Sequence, residues 1–433
     1  MKKERSILLA VAITFVLLSS NLLNFTVSTK SFSESYPSTV CPPSIPGLST
    51  AISLTSAEMQ LRKTGTNSMK TKTVKVSRYA VTSQSAIIES EEVTPVVWQA
   101  RKGVWAGSVA CSAPATSQWF IGATADITSK GSLNLVNSGL GRALVSVSVF
   151  TEKGSLTPQE FIVKANSYEN IPLVSLAPGA KRISIHVVPK SGRVNAFLID
   201  ERGKGLRALG GDVVNPSSNP EKLLEIPAIP QLNKRNLATS HTLRLLVPGE
   251  INARISAEIR STDGTFSPVG INGKVIANQK VIEIPMNIKM DSGIFALIIK
   301  SDQPILGSVF SKTLAEGKSD FVWSTSAPKL SDFTLATTGL APTLVFTGKS
   351  VRATLEVVSS KGELRSVIIR GEDIATYKVS ASTRSVRFTK IARGVTGAAL
   401  ISSKSGYGYL PLTPGSVLTK SAIPTSNISV LNP

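Results

Sequence analysis

The sequence predicts an all-β fold, with tandem immunoglobulin-like β-sandwich repeats behind an N-terminal signal or anchor helix. A short strand-and-turn phrase occurs three times, Val, Ile and Thr recur in short runs between Gly and Pro, and helical periodicity is confined to the N-terminal apolar stretch. β-Branched runs bounded by turn residues are typical of half-buried strands. With 433 residues, 42% of them hydrophobic, the chain is long enough for several domains with buried cores.

The first thirty residues predict an export signal or a membrane anchor. A basic hexapeptide, MKKERS, precedes an apolar run from Ile7 to Leu18, which is the arrangement of a signal peptide. No small-x-small cleavage site follows, and counted through Val27 the stretch is long enough to cross a bilayer. A cleaved signal and a retained anchor both remain open, and either one places the body outside the cytoplasm.

The two cysteines, Cys41 and Cys111, predict a disulfide. In an exported chain a lone pair of cysteines is more often bonded than free, although two buried thiols are the alternative. On the chain-entropy model, closing so long a loop stabilises the fold by roughly 4 kcal/mol.

The repeated phrase predicts the first strand of each repeat and the turn after it. It occurs as SLNLVNSG at 132–139, as TLRLLVPG at 242–249 and as TLVFTG at 343–348. In the first two copies leucines alternate with other residues before the turn, which is the pattern of a strand with one buried face.

A second strand and a glycine turn follow in each copy. The apolar positions of the second strand correspond at a constant spacing: Val145, Val147 and Val149 match Ile255, Ala257 and Ile259, since 255 minus 145 is 110. The turns TEKG, STDG and SSKG end at Gly154, Gly264 and Gly362, where a hairpin needs a positive φ.

The repeat length predicts β-sandwiches of immunoglobulin size. Each repeat has about 100 residues and six or seven short strands, whereas the blades of a β-propeller would repeat every 40–50 residues, roughly. We therefore divide the chain into a signal or anchor (1–30), a divergent N-terminal β-unit (31–115) and three β-sandwich repeats (116–225, 226–330 and 331–433).

The residue pattern predicts no catalytic, metal-binding or cofactor-binding site. His186 and His241 are the only histidines and lack the spacing of a metal site or a triad; we expect His186 at the surface or an edge. Glycoside hydrolysis needs two facing carboxylates, and the candidates stand in no recognisable frame: Glu89, Glu91, Glu92, Asp200 and Glu201. Nucleophile elbows, P-loops and dinucleotide fingerprints are absent from the sequence.

The four tryptophans, Trp98, Trp105, Trp119 and Trp323, lie near the junctions between the predicted repeats. Aromatic rings at a groove can stack on sugars, but such side chains more often fill the core between two sandwiches. We expect the second role.

The charge predicts a polyanionic partner. The net charge is +20, and the segments 59–88 and 374–433 contain no acidic residue. Arg387 and Arg393 have the strand parity opposite to Val386 and Phe388, so we expect them on the exposed face. The candidate polyanion contacts are Arg387, Arg393, Lys70, Lys72 and Lys75. The alternative is a solvated surface of a basic protein.

The strand and turn motifs also resemble a known family. An N-terminal apolar segment, CPP at 41–43, CSAPATSQWF at 111–120 and the phrases LNLVNSG, TEKG and LRLLVPG occur in order. Together they are similar to an actinobacterial family of secreted or membrane-anchored proteins that carries a domain of unknown function. The similarity covers nearly all of the chain after residue 30. It transfers no catalytic residues, and it implies an extracytoplasmic role with a membrane glycosyltransferase or another envelope protein as partner.

These observations predict a non-enzymatic envelope interaction or scaffold protein, either secreted or anchored, that serves wall or glycan assembly. Its partner would be an anionic envelope polymer or a membrane surface, because an extracytoplasmic location argues against nucleic acid. The alternative function is a carbohydrate-active enzyme that acts on extracellular polysaccharide.

Overall fold

A computed structural model describes residues 38–65, 71–89, 93–231, 240–291 and 293–416. The expected signal or anchor at 1–30 lies outside these residues. Among the described residues, no helix is long and apolar enough to span a membrane. The described ranges contain one four-residue helix, α1 (Leu173–Leu176), and 31 strands, so the prediction of an all-β fold is confirmed.

The strands form four consecutive units. The first unit contains β1 (Thr39–Val40), β2 (Ser49–Ser53), β3 (Met59–Lys63), β4 (Lys72–Val74), β5 (Arg78–Val81), β6 (Ala86–Glu89), the short β7 (Val93–Thr94), β8 (Val96–Arg101) and β9 (Trp105–Ala110). The second contains β10 (Gln118–Ile121), β11 (Ser132–Asn137), β12 (Ala143–Thr151), β13 (Gln159–Val163), β14 (Ser167–Pro172), β15 (Ile183–Ser191), β16 (Val194–Lys204) and β17 (Arg207–Val214).

The third unit contains β18 (Glu221–Pro230), β19 (Ser240–Leu246), β20 (Ala253–Ser261), β21 (Gly264–Phe266), β22 (Lys274–Ile276), β23 (Val281–Asn287), β24 (Ile294–Ala315) and β25 (Lys318–Thr325). The fourth contains β26 (Phe333–Ala336), β27 (Thr343–Ser359), β28 (Leu364–Lys378), β29 (Thr383–Thr389), β30 (Thr396–Ser403) and β31 (Gly406–Pro411). Strand β18 begins inside the range that we assigned to the preceding repeat.

All four units share one strand order. Within each unit we number the strand positions from 1 to 8 in chain order. The long strands β24, β27 and β28 each fill two positions, and the short strands β21 and β22 share position 4. The first sheet of every unit then has the order 1-6-3-4, as in β10-β15-β12-β13, and the second sheet has the order 5-2-7-8, as in β14-β11-β16-β17. The divergent N-terminal unit follows the same order, with β1-β6-β3-β4 and β5-β2-β8-β9.

The immunoglobulin-like part of the prediction is not confirmed. In the immunoglobulin order the first two strands pair within one sheet, whereas here positions 1 and 2 belong to different sheets. The chain crosses between the sheets repeatedly, and the long strand β24 crosses without a break because it pairs with β20 in one sheet and with β19 in the other.

The four units close into a ring. The first sheet of each unit packs on the second sheet of the next, as shown by buried clusters that combine Ile87 with Phe197, Trp119 with Leu306, and Ala296 with Leu400. The fourth unit closes the ring on the first, since Val96 joins its core and β26 pairs in parallel with β7.

Strands β9, β17, β25 and β31, which occupy position 8 of the four units, contact one another at the centre of the ring. We call these strands the hub. The sheets around it have a propeller-like arrangement, which corrects our argument against a propeller. That argument assumed that each sequence repeat forms a single sheet, as in a propeller blade. Here each repeat forms two interleaved sheets of different strand order, so the repeat is about twice as long as one blade.

The local predictions from alternation and turns are confirmed. Val145, Val147 and Val149 are buried on β12, and their counterparts on β20 are buried as well. Gly154, Gly264 and Gly362 have φ values of 144°, 118° and 89°, where a side chain would be strained.

Cys41 and Cys111 form a disulfide with a Cα–Cα distance of 4.5 Å. Both cysteines are fully buried, and the bond joins the residue after β1 to the residue after β9. It therefore cross-links the strands at positions 1 and 8 of the first unit.

The disulfide gives a direct test by thiol labelling. Protein purified without reductant and denatured should react with no thiol reagent, and after reduction it should take up two labels, because the chain has two cysteines. Two reactive thiols before reduction would show that the bond does not form.

Candidate polyanion-binding face

Four arginines lie on or beside one exposed sheet surface of the fourth unit. Positions 351, 353, 355 and 357 of β27 face the core, so Arg352, Thr354 and Glu356 face outward. Arg370 on β28 and Arg387 on β29 are exposed on the same surface. We call Arg352, Arg370, Arg387 and Arg393 the basic face.

Two of these arginines are direct cross-strand partners. Arg352 on β27 pairs with Arg370 on β28, which places their Cβ atoms about 5 Å apart. Like charges in this position destabilise a sheet. Within the described residues, no carboxylate lies within ion-pair distance of either guanidinium.

Arg393 lies next to this pair, because the N–H of Ala392 donates to the carbonyl of Arg352 at 2.8 Å. Arg387 lies further along the face, opposite Glu356, and its Nη1 is 3.9 Å from the Glu356 carboxylate. Both arginines are exposed.

The neighbouring residues follow the expected parity. Val386 and Phe388 are fully buried. Arg384 is half-buried at the start of β29, and Lys390 is exposed just beyond its end. The acids nearest along the strands are Glu356 and Glu372, so the face carries an excess of positive charge.

The predicted contacts of the first unit lie elsewhere. Lys72 and Lys75 are exposed, on and just after β4, the edge strand of the first sheet of unit 1. The basic face belongs to a sheet of unit 4. The structure therefore does not bring these lysines together with Arg387 and Arg393, and Lys70 lies outside the described residues.

Both histidines occupy packed positions. The ring of His186 stacks on Trp119 at a centroid distance of 3.7 Å, and burial lowers its pKa to about 4. His241 is buried between Ser311 Oγ at 2.9 Å and Gln231 Oε1 at 2.6 Å, and burial lowers its pKa to about 4 as well. Among the described residues, no group of three metal-ligating side chains comes together.

Of the carboxylate candidates from the sequence, those that the structure describes do not form a facing pair. Asp200 is buried and accepts hydrogen bonds from Arg202 and from Trp323 Nε1, and Glu201 pairs with Arg101 at 2.7 Å. Glu89 is half-buried at the end of β6, while residues 91 and 92 lie outside the described ranges.

Two buried carboxylates that sequence reasoning missed lie in the hub. Asp212 accepts hydrogen bonds from the N–H groups of Trp323, at 2.7 Å, and Val213, at 2.8 Å. Asp320 Oδ1 accepts one from Gly211 N–H at 3.0 Å. Burial raises the pKa of Asp212 well above its ordinary value and raises that of Asp320 to about 7. Both side chains are closed off from solvent.

The tryptophans pack in the core, as expected. Trp105 and Trp323 are fully buried, Trp119 is buried between units 2 and 3, and Trp98 packs half-buried against the core of unit 4.

A family model for a family of unknown function, DUF5719, matches residues 67–382. The chain belongs to this family. The DUF5719 match covers parts of all four units, including Arg352 and Arg370, and ends before Arg387. Our expectation of a family that carries a domain of unknown function is thereby confirmed in its general form.

Other comparisons add little to the DUF5719 assignment. No protein of curated function matches the chain significantly. One solved structure that resembles the chain is described as a tetra-tandem repeat in the extending region of a large adhesion protein. The two sequences are 10% identical, the alignment covers 86% of this chain and 93% of the other, and the TM-score is 0.10. At that score the likeness carries no argument.

Proposed function

We propose that this DUF5719 chain is a non-enzymatic extracytoplasmic scaffold that contacts an anionic envelope polymer through the basic face. The observation that carries the proposal is the exposed pair Arg352 and Arg370, which are direct cross-strand partners. Two like charges held opposite one another cost stability, and a bound phosphate or carboxylate group would remove that cost.

The disulfide supports an extracytoplasmic location, because such bonds persist in oxidising compartments. The ring supports a scaffold role, because interlocked units fix the position of the surfaces they carry. Within this proposal the chain is secreted or membrane-anchored and assists wall or glycan assembly beside a membrane glycosyltransferase or another envelope protein.

Among the described residues, the candidate carboxylates do not favour the carbohydrate-active enzyme. Of the candidate carboxylates, Asp200 and Glu201 are each held by an arginine, and the hub carboxylates are enclosed. A depression of about 490 Å³ next to Glu250 offers one carboxylate where hydrolysis needs two.

Charge reversal on the basic face is the test of polymer binding. Arg352→Glu combined with Arg393→Glu should weaken binding to long-chain polyphosphate and to polygalacturonate at least tenfold at 50 mM NaCl, since each cation contributes on the order of 1 kcal/mol. Binding of the unchanged protein should fall steeply as salt rises. Fluorescence anisotropy of labelled polymer measures both effects.

The matched control makes the same charge change on the equivalent sheet of unit 3. Lys274→Glu with Lys300→Glu alters two exposed lysines and should leave affinity within about twofold of the unchanged protein. Equal weakening by both variants, or no binding to either polymer at low salt, would show that the basic face is only a solvated surface.

Neutralising one arginine separates binding from folding. Arg352→Gln should raise the free energy of unfolding by a few tenths of a kcal/mol, because it removes the repulsion with Arg370, and it should still weaken polymer binding. A loss of stability together with a loss of binding would assign Arg352 a structural role instead.

A further inference from the structure

The hairpins that join positions 7 and 8 lie together at one end of the hub, which we call the hairpin end. The N–H of Glu316 in the third hairpin donates to the carbonyl of Lys404 in the fourth at 2.8 Å. Gly210 near the start of β17 and Gly406 at the start of β31 both flank the carboxylate of Asp320, so the second hairpin lies at the same end.

Two aliphatic side chains project into solvent at the hairpin end. Leu206 lies at the tip of the second hairpin with a relative exposure of 107%, and Ile127 lies in the neighbouring loop with 100%. The loop is tied to the hairpin, because the N–H of Gly203 donates to the carbonyl of Thr128 at 2.8 Å. Folding therefore holds both side chains outward on neighbouring turns.

Cations surround these two side chains. Lys130 is anchored beside the Leu206 turn, since its Nζ donates to the carbonyl of Gly205 at 3.2 Å. The exposed cations on the four hairpins and the adjoining loop are Lys102, Lys130, Lys204, Arg207, Lys318 and Lys404. Of the acids there, Glu316 is exposed, Asp126 is half-buried beside Ile127 and accepts a hydrogen bond from the N–H of Thr128, and Glu201 is paired with Arg101.

We propose that the hairpin end docks on a lipid surface with anionic headgroups. Aliphatic side chains on turn tips can enter the boundary between headgroups and acyl chains, while flanking lysines remain at the level of the phosphates. A soluble polyanion would satisfy the lysines but would leave Leu206 and Ile127 in water. A bilayer satisfies both features, and this surface is separate from the basic face.

Two fully exposed aliphatic side chains on neighbouring turns distinguish this place from Leu140 and Leu364, which are 79% and 67% exposed and also lie near an exposed arginine. Single exposed apolar side chains are ordinary, and Val269 is one, with a relative exposure of 99%. Its nearest basic residue along the chain, Lys274, is five positions away. The two ends of the described chain also lie at the opposite end of the hub, where Gly415 approaches Thr39.

Vesicle binding tests the proposal. Residues 37–417 form one compact unit that contains every described strand and core cluster, so this fragment is used, which removes the apolar N-terminal run from the measurement. It should co-sediment with vesicles of 30% phosphatidylglycerol in phosphatidylcholine. Leu206→Ser with Ile127→Ser should weaken this binding at least tenfold, and Lys204→Glu with Arg207→Glu should abolish the preference over pure phosphatidylcholine.

A labelled cysteine reports the depth of insertion. Because Cys41 and Cys111 are bonded to each other, a Leu206→Cys variant carries one reactive thiol for an environment-sensitive dye. Its emission should shift to the blue on phosphatidylglycerol vesicles and stay unchanged on polyphosphate. The same dye on Val269→Cys should not shift on either probe.

Three outcomes would overturn the proposal. They are no binding to anionic vesicles at 50 mM NaCl, undiminished binding by the Leu206→Ser/Ile127→Ser variant, and loss of vesicle binding in Arg352→Glu/Arg393→Glu with the hairpin end intact. The last result would move the lipid contact to the basic face, whereas failure of polyphosphate binding alone would leave the hairpin end unaffected.

Discussion

Replacing Arg244 with Met is expected to lower the free energy of unfolding by about 3–5 kcal/mol, as breaking a buried ion pair does. Arg244 lies on β19 of unit 3 and is buried. Its Nη2 donates to Glu283 at 2.7 Å, and its Nη1 donates to the carbonyls of Ala123 and Ile183 in unit 2 at 2.5 and 3.1 Å. The guanidinium carbon also lies 4.6 Å from the centroid of the Trp323 ring.

The size of this effect follows from what the substitution leaves behind. Methionine fills much of the space but donates no hydrogen bond, so two buried carbonyl oxygens lose the donor that Arg244 supplies and the Glu283 carboxylate keeps only Arg182. Burial would raise the pKa of Glu283, but Arg244 and Arg182 outweigh burial and lower it. The charged carboxylate therefore depends on these two partners.

Arg182→Met is the matched control. Arg182 binds the same carboxylate at 2.9 Å, but its side chain is 39% exposed, so its loss should cost at most about 1 kcal/mol. Urea unfolding of both variants measures the difference. Equal costs would show that the contact between units 2 and 3 does not depend on the buried arginine.

The sequence predicted features that depend on neighbouring residues. Alternation along 143–150 and the turn at Gly154 are local, because the period of a strand and the conformation of a turn are set within a few residues. The order of strands between the two sheets depends on contacts between distant residues. For that reason the repeats could be found from their spacing, while the strand order and the ring could not.

The arginines of the basic face also divide into two that the sequence predicted and two that it did not. Arg387 and Arg393 stood out because they lie in an acid-free segment, whereas Arg352 and Arg370 have acids near them in sequence. No count along the sequence finds that pair. Residue 352 lies seven positions before the SSKG turn at 359–362 and residue 370 lies eight positions after it, and only the register of the folded strands, with Val358 opposite Leu364, places the two arginines opposite each other.

The hub carboxylates carried no local signal at all. Asp212 and Asp320 each follow small residues, in GGD and KSD, which also suit an exposed turn. Gly210 and Gly406 flank Asp320 so closely that a Cβ at either glycine would lie 2.7 Å from its carboxylate oxygens. Ring closure brings these residues together, so burial of the carboxylate follows from the assembly of the four units.

Asp320→Asn is expected to stabilise the protein at pH 8 by about 2–4 kcal/mol and to change stability little at pH 4, since a tenfold change in proton affinity corresponds to about 1.4 kcal/mol. Burial raises the pKa of Asp320 from 3.8 to about 7 in the folded protein. Below pH 4 the carboxyl is protonated in both the folded and the unfolded chain. Between about pH 4 and pH 7 the unfolded chain is ionised while the folded protein keeps its proton, so stability falls as the pH rises, and above about pH 7 the loss levels off because the folded protein ionises as well.

The amide keeps the useful contact and removes the charge. Its oxygen can still accept from Gly211 N–H, which binds Oδ1 at 3.0 Å, while Oδ2 has no hydrogen-bond partner among the described residues. Because Asp212 also responds to the charge of Asp320, the quantity to measure is the difference between the two proteins from pH 4 to pH 8, by urea unfolding. The exposed Asp332→Asn should stay within about 0.5 kcal/mol of the unchanged protein throughout. A difference for Asp320→Asn that does not grow with pH would mean that this carboxyl stays charged in the hub across the whole range.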